Sequence, residues 1–340
     1  MQDGSKVEIR ALRVSDCPGL TACLLRCYGD GYYKKSLYDA PHTAALVQGG
    51  HYAGVVALLD GQMIGHIGLT RAMPNAIVFE AGTTIVDERF RGAGVMGQMA
   101  GGIRQWLLAQ GAVGFMHFPT TAHTVMQRVS LVHGACETGV LVACIPSSMR
   151  DSALGGPVGQ RLCVTAVYQP LAASASQDIY LPESYAAMIL DWAQQLGLFR
   201  VRVDSARPSE VHGSTQLQAS QTLMASQFDA ARGIVSVAVH CCGADLAQRV
   251  YETPQWYDGA IFHVDLPLND PGTPAAVHAL RTKGFVFGAW LPGWKGHDVL
   301  RMQRVVDATA SELAPQLYSE PAKSLMGLVL REMSIGRAIH

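Results

Sequence analysis

The chain has 340 residues with 26 basic and 27 acidic side chains, which leaves a formal net charge of −1 at pH 7. Because no positive excess exists to release counterions, this balance argues against nucleic acids and anionic membranes as partners. The hydrophobic share of 49% provides a sizeable core, and no run approaches the roughly 18 consecutive apolar residues of a membrane span. At roughly 150 residues per domain, the length predicts two domains.

The cysteines and the N-terminus predict the compartment. The eight cysteines contain no C-x-x-C pair, and no metal-ligand spacing appears in the sequence. The first residues, MQDGSKVEIR, lack the apolar stretch of a signal peptide. We therefore expect a cytoplasmic protein with reduced thiols.

The first 145 residues predict alternating strands and helices. A helix begins near Pro18 and carries an apolar stripe from Leu20 to Cys27. Asp60-Gly61 lies between two apolar runs, which is a strong signal for a hairpin. The predicted strands are 7–12, 52–59, 63–69, 76–86, 112–118 and 140–145, and further helices are predicted at 95–110 and 122–133.

A stretch rich in Ser, Gly and Pro, residues 146–160, predicts a linker. After it the order of elements restarts, with a strand at 162–168, a helix at 182–195 and further strands and helices behind them. This restart suggests an internal repeat of a whole domain. We place an N-terminal domain at residues 1–147, the linker at 148–160 and a C-terminal domain at 161–340.

The segment from Arg89 to Gly94 lies between a β-branched strand and an amphipathic helix. Its two glycines let the backbone curl closely, so that the N–H groups of residues 91–95 can point at one anion beside the helix N-terminus. A diphosphate suits such a turn, and a simple strand-to-helix turn is the equal alternative. Gly92, Gly94 and Gly97 also match the dinucleotide pattern, but the loop follows an antiparallel hairpin and residues 110–115 offer no carboxylate.

The pattern Arg89-x-x-Gly92-x-Gly94 after a long strand resembles a motif of the GCN5-related N-acetyltransferase (GNAT) superfamily. The later stretch AHTVMQRVSLVHGACETG is similar to the second conserved block of that superfamily. DPGTPAAVHALRTKGF, around Gly284, resembles the same block, whereas VAVHCCGADLAQ lacks the loop motif. The resemblance implies an α/β fold of two tandem GNAT-like domains, each a largely antiparallel twisted sheet flanked by helices, with a degenerate C-terminal copy.

The resemblance also implies a binding site for acetyl-CoA or another acyl-CoA as co-substrate. The phosphates are expected at Arg91, Gly92, Ala93, Gly94, Val95 and Met96, and the pantetheine arm at Thr84, Ile85 and Val86. His123 occupies the position where the family has Asn, and either contacts the pantetheine or caps the following helix.

Glu80 is the first candidate for the base that deprotonates the acceptor amine, since some members of the family place a catalytic Glu on this strand. Strict alternation predicts that Glu80, Gly82, Thr84 and Val86 face the same way. The alternative is a strand-end carboxylate in water or in an ion pair. His117 is the second candidate base, and a packed strand histidine is its alternative.

Ser130 occupies the position of the family's Tyr, which commonly protonates the departing thiolate. A serine hydroxyl is a poor acid, so water, another residue or a different reaction remains open. The resemblance favours an acyl-CoA-dependent N-acyltransferase acting on a small amine, or on a peptide. A CoA-thioester lyase or decarboxylase and a non-catalytic acyl-CoA-binding protein are the alternatives.

The resemblance places the acceptor site near Tyr28, Tyr32 and Tyr33, where acceptor loops of the family fall, and ordinary anchors of a loop are the equal alternative for these residues. The C-terminal half is expected to shape the acceptor site. No nucleic-acid or membrane partner is expected, and a homodimer is left open.

Overall fold

The computed structural model describes residues 6–132, 134–151, 156–204, 221–253, 261–306, 308 and 312–338. The helices are α1 (Cys17–Tyr28), α2 (Ala40–Gln48), α3 (Val95–Ala109), α4 (Thr124–Ser130), α5 (Glu183–Gln195), α6 (Leu246–Tyr251), α7 (Thr273–Arg281) and α8 (Glu320–Ala338), with 3₁₀ turns at Val14–Asp16, Lys35–Tyr38 and Glu88–Phe90. None of the helices within these ranges is both long and apolar enough to cross a membrane.

The strands of the N-terminal part are β1 (Glu8–Ala11), β2 (Ala53–Leu59), β3 (Gln62–Arg71), β4 (Val78–Val86), β5 (Gly114–His117), β6 (Cys136–Ile145), β7 (Arg150–Asp151), β8 (Gly156–Pro157) and β9 (Leu162–Pro170). The later strands are β10 (Gln177–Ile179), β11 (Arg200–Arg202), β12 (Leu223–Asp229), β13 (Ile234–Cys241), β14 (Ile261–Pro267), β15 (Val286–Leu291) and β16 (Val299–Val305).

Twelve of these strands form one sheet in the order β1-β2-β3-β4-β5-β9-β6-β15-β16-β14-β13-β12. The pairs β4–β5 and β13–β14 are parallel, and the other neighbours in this sheet are antiparallel. This confirms the predicted α/β class with a largely antiparallel sheet flanked by helices.

The sheet repeats one arrangement in reverse order on either side of the β6–β15 contact. In each half a strand (β4 or β13) leads through a helix to a parallel neighbour (β5 or β14). A second helix and a hairpin follow (β6–β9 or β15–β16). The second strand of the hairpin, β9 or β16, lies between the first strand of the hairpin and the parallel neighbour, β5 or β14. The two halves meet where Ala289 of β15 pairs with Gly139 of β6.

The strand that follows the predicted linker, β9, belongs to the N-terminal part of this sheet, where it pairs with β5 and β6. The Ser-, Gly- and Pro-rich segment therefore connects two paired strands, and its own short strands β7 and β8 pair with each other. The division into domains at 147 and 161 stays a prediction, because both halves contribute to one sheet.

The two faces of the N-terminal part of the sheet carry different helices. α3 packs on one face with Val95, Met99, Ile103 and Leu107, the apolar stripe that its sequence predicts. α1 packs on the other face through Leu20, Cys23, Leu24 and Cys27, against residues such as Val56 and Ile85. β4 follows this division, since Phe79 and Ala81 belong to the cluster under α3.

Candidate active site

The loop between β4 and α3 has the backbone conformation that its glycines allow. Gly92 and Gly94 adopt φ of 78° and 77°, a region that other residues enter only with strain. A Cβ added at either position would meet nothing within 4 Å, so the glycines serve the turn rather than close packing. Both residues, and Ala93 between them, are exposed.

The N-terminus of α3 has no side-chain cap, because the residue before it is Gly94. The first N–H groups of a helix have no partner within the helix, so those of Val95 and Met96 point out of its first turn. The Val95 side chain is buried under the helix, which leaves only its main-chain amide for a ligand. The main-chain N–H groups of Arg91 and Ala93 donate to the carbonyl oxygens of Glu88 and Phe90, so the bend offers a ligand the amides at the start of α3 rather than those of all the predicted residues.

Asp87, which the sequence analysis did not single out, holds this bend to the sheet. Its carboxylate accepts from Arg89 (Nε to Oδ1 3.0 Å, Nη2 to Oδ2 2.8 Å) and from Arg26 of α1 (Nε to Oδ2 2.9 Å). Hydrogen bonds from Arg89 hold the pKa of the Asp87 carboxyl well below its usual range, although its partial burial opposes this. The motif residue Arg89 is therefore committed to positioning the loop, and an Asp two residues before such a motif is the signal that was missed.

Arg91 turns back toward the end of β4, where its Nε lies 3.4 Å from the carbonyl oxygen of Val86. Its side chain thus lies beside the bend and the last residue of the predicted pantetheine-binding strand.

β4 contains a bulge at Thr83 and Thr84. His66 of β3 pairs with Ile85 and Gly68 pairs with Gly82, so β4 uses one residue more than β3 over the same span. Thr83 has φ of 52°, in the left-handed region. The extra residue reverses the alternation, which places Ile85 in the α1 cluster and Val86 against the α3 cluster.

The predicted alternation was therefore wrong beyond Gly82. Glu80 and Gly82 face α1, and Val86 faces the opposite side, because the bulge shifts every later residue of the strand by one. A prediction that assumes side chains alternate strictly between the two faces of the sheet cannot anticipate such an insertion.

β4 and β5 separate at the bulge. Their last paired residues are Ala81 and His117, and β4 continues for Gly82–Val86 without a partner on that side among the described strands. Beyond these residues the two parallel strands leave a cleft, and Thr84, Ile85 and Val86 lie on the β4 edge that has no paired strand among the described residues. The Val86 carbonyl oxygen in this stretch lies 3.4 Å from Arg91 Nε. β4 ends at Val86, and the turn at Glu88–Phe90 leads from there to the bend at Gly92–Gly94.

The two candidate bases lie on opposite faces of the sheet. Glu80 pairs with Met116, whereas His117 pairs with Ala81, so His117 faces the α3 side together with Phe115. Burial lowers the pKa of His117 to about 4, and its Nε2 has no hydrogen-bond partner in the described part of the chain. His117 is thus neutral at pH 7 and a weak base, and it does not share a face with Glu80.

Glu80 lies at the start of the cleft beside Lys34, with 3.6 Å between Lys34 Nζ and Glu80 Oε1. A Cβ added at Gly82 would lie 3.3 Å from Glu80 Oε1 and 3.7 Å from Lys34 Nζ, so both side chains lie over Gly82. Each side chain is 28% exposed. The ion pair expected as the alternative for Glu80 is present, and its length leaves the carboxylate without a tight hydrogen bond to Lys34.

His123 and Ser130 stand at the two ends of α4. His123 precedes the helix with an extended backbone and makes no capping hydrogen bond, so its predicted capping role was wrong. Its Nδ1 is buried and lacks a partner within the described ranges. Ser130 is buried, and the C-terminal segment covers α4 where Gln127 bonds the main chain of Gln316 and Tyr318.

The C-terminal half contains an equivalent cleft with a different loop. β13 pairs with β14 up to Ala238 and Asp265, and an irregularity against β12 follows between Val239 and Cys241. The loop amides are then occupied by side chains: Cys242 N–H donates to Asp270, and Gly243 N–H donates to Thr222.

A carboxylate, Asp245, precedes the short helix α6 in this second loop, and it accepts hydrogen bonds from both the main-chain N–H and the hydroxyl of Thr222. Bound amides and a fixed negative charge make this loop unsuited to an anion.

Comparisons with known proteins give structural relatives only. No protein-family model matches the sequence, and no curated protein matches it. An N-acetyltransferase from Staphylococcus aureus Mu50 aligns at 14% identity and a TM-score of 0.40, over 49% of this chain and 99% of its own. The ribosomal-protein-S18-alanine N-acetyltransferase from Escherichia coli aligns at 14% identity and a TM-score of 0.40, over 50% of this chain and 97% of its own. A Salmonella typhimurium protein solved with acetyl-CoA aligns at 15% identity and a TM-score of 0.41, over 51% of this chain and 99% of its own.

This chain is similar to each of them over about half its length.

Proposed function

We propose that the N-terminal half binds an acyl-CoA, acetyl-CoA in the simplest case, and transfers its acyl group to an amine. The observation that carries the proposal is the uncapped start of α3, with two left-handed glycines, at the end of a strand that separates from its parallel neighbour. Main-chain amides of the bend would hold the diphosphate. The pantetheine arm would lie along Thr84–Val86 and bond the free edge of β4 as a missing strand would.

In the proposed reaction the amine nitrogen attacks the thioester carbonyl. A nitrogen–carbon bond forms, the carbon–sulfur bond breaks, one proton leaves the nitrogen and one joins the sulfur. Glu80 takes the first proton, directly or through water, because it is the carboxylate at the start of the cleft. A main-chain N–H near the β4 bulge stabilises the oxyanion. The buried Ser130 is a poor acid, so water supplies the second proton.

The C-terminal half is, in this proposal, a second copy of the same unit that no longer binds CoA. The repeated strand order supports the common origin, and the self-bonded loop around Asp245 supports the loss. The remaining task of this half is to form one wall of the acceptor site.

Calorimetric titration with acetyl-CoA tests the binding step. Gly94→Trp should abolish measurable binding, because φ of 77° strains any residue with a side chain and the indole would cover the amides. Gly101→Ala is the matched control, since it lies in the same helix with open space around its Cβ. Equal binding by Gly94→Trp and the parent protein would refute the site.

Release of free thiol from acetyl-CoA in the presence of an amine panel tests the transfer. Glu80→Gln should lower kcat by about 10²–10⁴ with acetyl-CoA binding unchanged. Thiol release from malonyl-CoA without any amine would instead favour the lyase or decarboxylase. Saturable CoA binding without thiol release would favour a binding protein.

A further inference from the structure

A cavity of about 310 Å³ lies between the two halves of the chain. One wall is the turn between α1 and α2, Tyr33–Ser36, and the other is the turn between β12 and β13 with Asp229, Ala231 and Arg232. The guanidinium of Arg232 stacks 5.7 Å from the centre of the Tyr33 ring, so the two walls are in contact. The sheet is therefore curled enough to bring its C-terminal half over the face that carries Glu80.

The cavity is positively charged in a protein whose overall charge is −1. Its lining contains Lys34, Lys35 and Arg232 against a single carboxylate, Asp229, and Glu80 beside Lys34 reduces the local excess to one positive charge. Asp229 is already bound to Arg232, with 2.6 Å between Arg232 Nε and Asp229 Oδ2. This positive charge is a property of the cavity, because the chain as a whole has a net charge of −1.

Lys34 connects this cavity to the cleft. It lines the cavity, and its ammonium lies 3.6 Å from Glu80 over Gly82. Burial lowers the pKa of Lys34, but the Glu80 carboxylate together with Tyr32 and Tyr52 raises it above its usual value, so the ammonium is charged at pH 7. An ammonium group that replaced Lys34 beside Glu80 would leave Lys34 free to neutralise an anion in the cavity.

Resting on the proposed function, we infer that the acceptor is a small amine that also carries an anionic group, a carboxylate or a phosphate. The amine lies beside Glu80, and the anionic group enters the cavity between Lys34 and Arg232. A volume of about 310 Å³ is at the lower end for ligand sites and is large enough for a small molecule. The two halves together form this acceptor site.

Acceptor pairs that differ in one charge test the inference. Glycine with glycinamide and glutamate with glutamine vary a carboxylate, and glucosamine 6-phosphate with glucosamine varies a phosphate. Thiol release from acetyl-CoA is followed for the full chain, for Lys34→Gln and for Lys323→Gln, a control on α8 whose ammonium pairs with Glu320.

We expect the anionic member of at least one pair to have a kcat/KM at least tenfold above its neutral partner. Lys34→Gln should reduce that preference at least tenfold and leave acetyl-CoA binding unchanged, whereas Lys323→Gln should keep it. Which pair responds distinguishes a carboxylate from a phosphate. Equal turnover within every pair, or an equal effect of Lys34→Gln on both members, would overturn the inference.

If no panel member is acetylated, melting temperatures of the CoA-loaded protein with each probe decide. Anionic probes should then stabilise the parent protein more than their neutral partners, and this difference should be lost in Lys34→Gln. No such difference would overturn the inference. Failure of CoA itself to bind would overturn the proposed function instead, so the two failures are separable.

Discussion

His66 lies fully buried in β3, where its imidazole has a single favourable protonation state. Nδ1 lies 3.1 Å from the carbonyl oxygen of Val55, which can only accept, so Nδ1 carries the proton. Nε2 then accepts from the hydroxyl of Tyr52 at 2.8 Å. A second proton would place a charge in an apolar layer under α1, and burial lowers the pKa of His66 to about 4.

The consequence is a loss of stability on mild acidification. The unfolded chain binds a proton at His66 with a pKa of 6.5 and the folded chain at about 4, so between these values the unfolded state holds more protons. The contribution of neutral His66 to the free energy of unfolding is therefore fully present above pH 6.5 and is lost as the pH falls toward 4. Between pH 7.5 and pH 5.0 the loss amounts to about 2 kcal/mol.

Urea denaturation of the parent protein and of His66→Gln at pH 7.5 and pH 5.0 measures this term. Gln keeps a polar group near Tyr52 but does not titrate, so the drop in unfolding free energy should be smaller by about 2 kcal/mol in the variant. The comparison within each protein cancels any constant cost of the substitution. An equal drop in both proteins would refute the assignment of His66 as a buried, neutral histidine.

Three further variants examine other parts of the site. Asp87→Asn should lower the free energy of unfolding by about 1–2 kcal/mol, a modest amount because both arginine partners keep contact with water. It should also weaken acetyl-CoA binding. An unchanged unfolding free energy in denaturation, or an unchanged affinity in calorimetry, would contradict the respective expectation. Gly68→Ala should cost about 1–3 kcal/mol, because the new Cβ would lie 2.2 Å from the Tyr52 hydroxyl oxygen. Tyr52→Phe in the same chain should recover part of that cost, and an additive double variant would count against the clash. Arg301→Gln should cost about 3 kcal/mol because it removes a two-point ion pair from the buried Asp265 and leaves only Lys295; a thermal melt equal to that of the parent would contradict it.

The local parts of the site could be predicted from the sequence because neighbouring residues determine them. The stripe from Val95 to Leu107 has helical spacing, and the structure confirms a helix at Val95–Ala109. Gly92 and Gly94 predicted a closely curled turn, and the structure shows a turn in which both have positive φ. In these segments the pattern and the structure depend on the same few residues.

The bulge in β4 could not be predicted, because it depends on the register with β3. Thr83 and Thr84 are ordinary strand residues, and nothing in their type marks a left-handed φ. The register becomes visible only when His66 and Gly68 are seen opposite Ile85 and Gly82. The error in the predicted alternation followed directly, and it concerned the residues that the cleft exposes.

The position of β9 was also hidden from the sequence. Its residues are nearly all buried, so their pattern predicts a strand without indicating which neighbours it has. Only the structure shows that the chain returns through the Ser-, Gly- and Pro-rich segment to pair with β5 and β6. The helix α2 was missed because it is short and has little apolar periodicity, with only Thr43 buried.

The two clefts explain why one chain would keep both halves if only one binds CoA. The residue opposite Ala238 is Asp265, at the place that His117 occupies opposite Ala81. Although burial alone would raise it, the pKa of Asp265 is held below its usual range by Arg301 and Lys295, so this cleft contains a fixed ionic cluster instead of an open edge. If, as proposed, the loop at Asp245 does not accept a diphosphate, charged groups occupy that cleft without competing with a cofactor. The turn that carries Arg232 belongs to the same half. Under the proposed function, a half that does not bind CoA and a charged wall for the acceptor are therefore compatible within one chain.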